Sequence, residues 1–425
     1  MSTDVNTIFD PAKRRLLLVY IARFIRAFGF GAVSVVFALF LQERGFSSVE
    51  IGTIVSATLI EDAFLTTFVS VYSSRFGLRG LLLLASVILC LSGLGFSFIA
   101  SKWIIGLIAV FGIVSPAGYE GGPFGALEQT VISESSSVER LAHEFSIYNL
   151  TAFAGSAAGS LLAGLVFPWL RTSYSTDTAF RSIFLVYAVA GLLMLFLYAC
   201  LKSNKSDPVP LDLSATARAQ EKPAKKGLDL PRSPAIWRLS LLQGMDAFGG
   251  GFVPTTLISY WFFERYHAGP EFTGPVFAAT YALAALSFII SPYVCRRFGL
   301  LNTMVFTHLP CSISLALVPF MPTAFLAGAI LVARSLFSSM DIPARQAFSM
   351  VIVPKEERSA AAGLTSASRS LGQCAAPLIS GWALANTMSG LSFQLAGGLK
   401  TIYDLVIYFS FRNVPLQREE DSSQA

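Results

Sequence analysis

Apolar runs of membrane-spanning length recur along the whole chain, near 15-41, 49-72, 80-100, 103-132, 141-167, 180-201, 236-262, 272-294, 302-320, 323-352, 358-385 and 389-411. Crossing the hydrocarbon core takes about 20 mostly apolar residues. Within lipid the backbone polar groups must also find their partners inside the protein. Runs this long without two-residue alternation exclude a barrel, so all twelve read as helices. Composition agrees, with 54% hydrophobic and 13% charged residues, against about 25% charged in soluble domains. The chain reads as an all-α integral membrane protein with twelve transmembrane helices.

The loops suggest an orientation. Lys13, Arg14, Arg15, Arg75, Arg79, Arg296, Arg297, Lys355 and Arg358 fall on one side, against Arg44, Lys102, Arg171, Arg181 and Arg265 on the other. The positive-inside rule then places the N- and C-termini in the cytoplasm of a multi-pass protein of the cell (cytoplasmic) membrane. The net charge of +5 follows from that topology, and no nucleic-acid motif accompanies it. The first apolar run is too long, and too rich in arginine, for a cleavable signal peptide. Cys90, Cys200, Cys295, Cys311 and Cys374 have no CxxC spacing, and the three His have no metal-ligand spacing, so neither disulfide, metal nor cofactor is expected. GxxxxGK[ST], HExxH and GxSxG are all missing from the sequence. An enzyme or ATP-driven pump is therefore not expected.

Residues 202-235 are the one long polar stretch, rich in Pro and Lys, and read as a cytoplasmic linker. They divide an N-terminal six-helix bundle, 1-201, from a C-terminal one, 236-425. The halves are related in sequence. Arg26-Ala-Phe-Gly-Phe-Gly in the first span returns as Asp246-Ala-Phe-Gly-Gly-Gly in the seventh, with the charge reversed. Arg75-Phe-Gly77-Leu returns as Arg297-Phe-Gly299-Leu, and Glu128-Gln129 as Arg345-Gln346. Gly155 and Gly164 likewise return as Gly372 and Gly381. Repeats in one orientation point to two bundles related by pseudo-two-fold symmetry, with binding at the interface of the halves and alternating access by rocking.

Twelve spans, a central polar loop and the basic Arg-Phe-Gly turns after spans two and eight resemble the major facilitator superfamily over nearly the whole chain. The family's loop signature, Gly-x-x-x-Asp-Arg-x-Gly-Arg-Arg, is partly kept in Ser70-Val-Tyr-Ser-Ser74-Arg75-Phe-Gly77-Leu78-Arg79, with Ser70, Ser74 and Leu78 departing from it. Arg75, Gly77, Arg79, Arg297 and Gly299 are thereby read as cytoplasmic gate loops. Asp246-Ala-Phe-Gly-Gly-Gly-Phe, Met340-Asp-Ile-Pro-Ala-Arg-Gln and Lys400-Thr-Ile-Tyr-Asp404 are similar to a prokaryotic subgroup without a firm substrate. The resemblance implies that spans one, four, seven and ten line a central cavity. They carry Arg23, Arg26, Glu120, Glu128, Asp246, Arg334, Asp341 and Arg345.

A charge inside a span costs about 2.5 to 3.5 kcal/mol on insertion scales and marks a function by default. Arg26 and Glu128 exchange with Asp246 and Arg345 between the repeats, so each half brings one acid and one base. Arginines offer guanidinium forks to a substrate carboxylate or phosphate, and acids can exchange protons. Alternatively these charges pair, within a half or across the halves, as a gate latch. Arg23 and Arg26 share a helix face and could clamp one anion. Arg369 could complete an anion site or cap a bend before Pro377. Glu120 sits in Pro116-Ala-Gly-Tyr-Glu-Gly-Gly-Pro123, which should interrupt the fourth span. Glu61 and Asp62, with Glu128 and Asp246, are proton-coupling candidates. Lys400 and Asp404, four apart, are expected to pair within the last helix. The expected function is secondary transport of a small organic solute, with an anion or zwitterion preferred, by a monomer that exchanges protons. A drug or amphiphile exporter, a lipid flippase, and a receptor or scaffold with this fold stand as alternatives.

Overall fold

The computed structural model describes residues 11-119, 122-136, 138-201, 234-352 and 357-413. All the extended elements there are helices. They run α1 (Pro11–Glu43), α2 (Ser48–Phe76), α3 (Leu78–Phe98), α4 (Lys102–Phe111), α5 (Gly122–Ser135), α6 (Val138–Ser173), α7 (Thr176–Ala199), α8 (Pro234–Gly251), α9 (Thr255–Tyr266), α10 (Pro270–Phe298), α11 (Leu300–Leu317), α12 (Ala324–Ser338), α13 (Asp341–Val351), α14 (Arg358–Ala385) and α15 (Leu391–Phe411). The fourth, seventh and tenth expected spans are each broken into two helices: α4 and α5, α8 and α9, α12 and α13. Residues 202-233, most of the expected linker, and Glu120 lie outside the described residues.

Large apolar side chains such as Leu91, Phe98, Leu165, Phe325 and Leu371 are exposed, while Arg26, Glu128 and Asp246 are buried. That inversion of the soluble pattern is what a lipid-facing surface around polar interiors requires. Among the described residues, eight helices are long and apolar enough to cross a membrane. α14 and α15, which fall outside that set, carry Arg369, Lys400 and Asp404.

The chain forms two compact units. The first comprises residues 1-211 and 255-282, the second 212-254 and 283-425. In the first, α1 packs along α6 and α3 along α7. In the second, the repeat-equivalent pairs α8 with α14 and α11 with α15 do the same. Close helix approach in membranes rests on small residues, and both copies show it. A methyl on Gly155 would lie 2.4 Å from the Phe24 carbonyl oxygen, and one on its counterpart Gly372 would lie 2.3 Å from that of Gly244. The aromatic core of the first unit joins Phe37, Phe40, Phe96, Phe180 and Phe184 by edge and tilted ring contacts. In the second, Ile236, Leu239, Met304, Phe348, Tyr403 and Ile407 form the buried cluster.

The Arg-Phe-Gly turns are structural twins. Gly77 (φ 74) and Gly299 (φ 82) cap α3 and α11 in the left-handed region, where a side chain other than glycine's is strained. Arg79 donates to the Ala199 carbonyl at 2.6 Å, and Arg297 lies over the Phe298 ring. The side chain of Arg75 lies outside those described.

Candidate functional site: two charged clusters

The break in the fourth span begins after Phe111, where Ile113 takes φ 56, a costly conformation for a β-branched residue. A broken helix leaves carbonyls without helical donors, and every freed carbonyl named here finds one. Tyr187 donates to Ile113 O at 2.7 Å, Ser156 to Gly118 O at 2.8 Å, and Tyr281 and Thr255 to Ala117 O at 2.6 and 2.9 Å. The Thr256 amide serves Pro116 O at 3.0 Å. α9 and the first part of α10 are thus fastened into the first unit, helped by Ser259, which donates to Val35 O at 2.6 Å.

The break re-aims the chain so that α5 presents Glu128 to α1. Arg26 grips it with both arms, Nη1 to Oε1 at 2.8 Å and Nη2 to Oε2 at 2.6 Å. Tyr148 of α6 donates to Oε2 at 2.6 Å and Tyr198 of α7 to Oε1. A carboxylate offers about four acceptor positions, and here all are used. Both charged side chains are fully buried, and Phe124 faces the Arg26 guanidinium at 4.6 Å. Arg23, one turn away, is also buried and lies over the Tyr148 ring, 4.6 Å from its centroid. Its Nε meets no hydrogen-bond partner among the described residues. The shared Arg23–Arg26 clamp expected for one anion is therefore not formed, because Glu128 occupies the whole Arg26 fork.

In the second unit the equivalent pair has the opposite polarity and a different setting. Asp246 of α8 receives Arg345 of α13 at 3.0 Å, Arg369 of α14 at 2.9 Å and Lys400 of α15 at 2.6 Å. Arg345 also bridges to Asp341 at 3.0 Å. His308 of α11 points Nδ1 at Asp404, 2.8 and 3.0 Å from its two oxygens, and Nε2 toward Asp246 Oδ1 at 3.7 Å. Ser312 adds a donor to Asp404 at 3.1 Å. Asp246 and Asp404 are buried, whereas the Arg369 side chain is 33% exposed.

This cluster corrects one expectation. Lys400 and Asp404 do not pair with each other: Lys400 reaches Asp246 and Asp404 reaches His308, each on a neighbouring helix. Arg369, weighed between an anion site and a cap before Pro377, is paired with Asp246 at 2.9 Å. His308, Tyr148 and Tyr198 join these acids as partners that the sequence pattern does not mark as such. For His308 a signal existed, an ionisable side chain inside an apolar span; for the tyrosines there was none.

The remaining candidates lie elsewhere. Glu61 and Asp62 line a small cleft in the first unit with Phe30, Leu59, Ile113 and Pro116. Glu61 Oε1 is buried without a partner among the described residues, and Asp62 Oδ1 lies close over Gly122. Arg334 donates its Nε to the Cys311 carbonyl at 3.3 Å. His143 is exposed, and its neighbour Glu144 accepts from Tyr20.

Comparison with known proteins bears on this arrangement. A family model described as Major Facilitator Superfamily matches residues 19–377. A Saccharomyces cerevisiae protein described as an uncharacterized membrane protein is 25% identical over 97% of this chain and 98% of its own length. Among solved structures, the nucleoside transporter NupG matches with a TM-score of 0.70 at 12% identity, covering 94% of this chain and 99% of that one. A D-xylose-proton symporter matches at 0.68 and 17% identity over 96% and 98%. A bacterial homolog of the human lysosomal transporter Spinster matches at 0.68 and 13% over 96% and 98%. At such identities the structural likeness speaks for the fold alone.

Proposed function

This chain belongs to the Major Facilitator Superfamily, and from that premise we propose that it is a secondary transporter of a small organic anion or zwitterion, driven by a proton gradient across the cytoplasmic membrane. The carrying observation is the crowding of three cations onto one carboxylate, Asp246, with Arg369 partly exposed at its edge. Asp246 holds each of these cations by a single contact, so its hold on Arg369, the most exposed of them, is open to competition. An incoming carboxylate or phosphate group takes Arg369 from Asp246 by presenting the same bidentate acceptor.

The two clusters then have different tasks. Arg26 and Glu128 tie α1 to α5 as a fixed brace, because each acceptor position on Glu128 is occupied and a proton there would displace a donor. Arg23 stands beside that brace, over the Tyr148 ring. Glu61, with one oxygen lacking a donor among the described residues, is the proton-carrier candidate of the first unit.

The test is uptake by vesicles reconstituted with purified protein under an imposed pH difference, using labelled monocarboxylates, amino acids, phosphate esters and neutral sugars. Accumulation of an acid or zwitterion that collapses with a protonophore supports the reading. Transport indifferent to the gradient removes the proton coupling. Preference for neutral solutes removes the anion site.

A further inference from the structure

We propose that the coupling proton is bound at His308, on the nitrogen facing Asp246, and that its arrival frees the cations of the second unit for an anionic substrate. The inference rests on the proton-linked reading above and assigns its proton site to helices, α11 and α15, outside the spans that the family resemblance makes the cavity lining.

The geometry sets the direction of events. Nδ1 of His308 lies at hydrogen-bond distance from both oxygens of Asp404, so in the neutral ring that nitrogen carries the hydrogen and donates it. Nε2 then holds a lone pair and stands 3.7 Å from Asp246 Oδ1, too far for a hydrogen bond. A hydronium ion gives its proton to Nε2: one O–H bond breaks, leaving water, and one N–H bond forms. The new cation faces the same oxygen that Lys400 holds at 2.6 Å. Two cations now compete for Oδ1, while Arg345 and Arg369 share Oδ2.

The charged and titratable neighbours are known on every helix packed against the ring. Asp404, Lys400 and Tyr403 come from α15, Asp246 from α8, Asp341 and Arg345 from α13, and Arg369 from α14. Arg334 of α12 is engaged with Cys311 of α11. Within the linked network, Asp246, Asp341 and Asp404 balance Arg345, Arg369 and Lys400 while the ring is neutral. One proton leaves one positive charge in excess. Burying an unbalanced charge is strongly unfavourable, so the loaded network attracts a monoanion, and Arg369, its most exposed cation, is where that anion arrives. Proton and substrate are thereby bound together, as an electroneutral pair.

The chain has three histidines, which makes the ring directly observable. Protein labelled with 15N-histidine in lipid nanodiscs is followed from about pH 5 to pH 9, with signals assigned through His143→Gln, His267→Gln and His308→Gln. The expected result is a signal, lost in His308→Gln, that passes from neutral to doubly protonated in this range. In vesicles of the wild type and of His308→Gln, gradient-driven accumulation of the labelled monocarboxylates, amino acids or phosphate esters is lost in the variant. A His308 ring that keeps one protonation state throughout, or full gradient coupling in His308→Gln with its loss in Glu61→Gln, overturns the proposal. Absence of gradient coupling in the wild type instead overturns the reading on which it rests.

Discussion

The two halves place an acid and a base at the same repeat positions and obtain opposite devices from them. In the first unit the charge pair is closed: one arginine fork, one carboxylate, two tyrosine hydroxyls and no exposure. In the second, reversing the sign places the carboxylate on the seventh span, and a carboxylate can be approached from several helices at once. Arg345, Arg369 and Lys400 all reach it, with His308 behind. A lone guanidinium fork is filled by one planar partner, whereas a carboxylate hub accumulates cations. The difference teaches that the same repeat positions, with their polarity reversed, hold a single closed pair in one unit and one carboxylate shared by three cations in the other.

Substitutions can break this contrast. The largest effect is expected for Glu128→Ala, which leaves Arg26 buried with its carboxylate partner gone beside Arg23; loss of a buried partner costs about 3 to 5 kcal/mol, seen as a large drop in thermal unfolding temperature. Replacing both members, Arg26→Met with Glu128→Leu, should recover most of it. Asp246→Asn is expected to abolish gradient-driven transport yet lower stability less, because Arg345 keeps Asp341 and Arg369 already reaches solvent. Retained transport in that variant would deprive the hub of its role. Gly155→Ala and Gly372→Ala sharpen the contrast from the other side. Both force a methyl against a facing carbonyl, so each should lose about 1 to 3 kcal/mol, and nearly equally, since helix packing is alike in the halves. The smallest effect is Tyr198→Phe, which removes one of four donors to Glu128; about 1 kcal/mol of stability is lost, with transport kept.

Much of this was legible in the residues. Hydropathy announced the membrane-spanning character because a helix in lipid must be long and apolar, and eight helices among the described residues are of that kind. The exchanged pair Arg26 and Glu128 against Asp246 and Arg345 was visible because the repeat aligns positions that share a fold environment. The fourth-span break was announced by its Pro and Gly. Partner choice was not legible. Lys400 and Asp404 stand four apart and look like an intrahelical pair, yet Lys400 reaches Asp246 on α8 and Asp404 reaches His308 on α11. The break at Ser339 and Met340 in the tenth span begins four residues before Pro343, whose ring and missing N–H interrupt the helix there; the convergence of Tyr148 and Tyr198 on Glu128 depends on how α6 and α7 pack, which local pattern does not encode.

Double-mutant cycles on thermodynamic stability at the two equivalent bridges test the central claim most directly. Arg26 and Glu128 should show a coupling of about 3 kcal/mol or more, as members of a closed buried pair. Asp246 and Arg345 should show about 1 kcal/mol, since Arg369 and Lys400 continue to hold the acid when Arg345 is removed. Equal couplings, or a larger one in the second unit, would contradict the division into brace and hub.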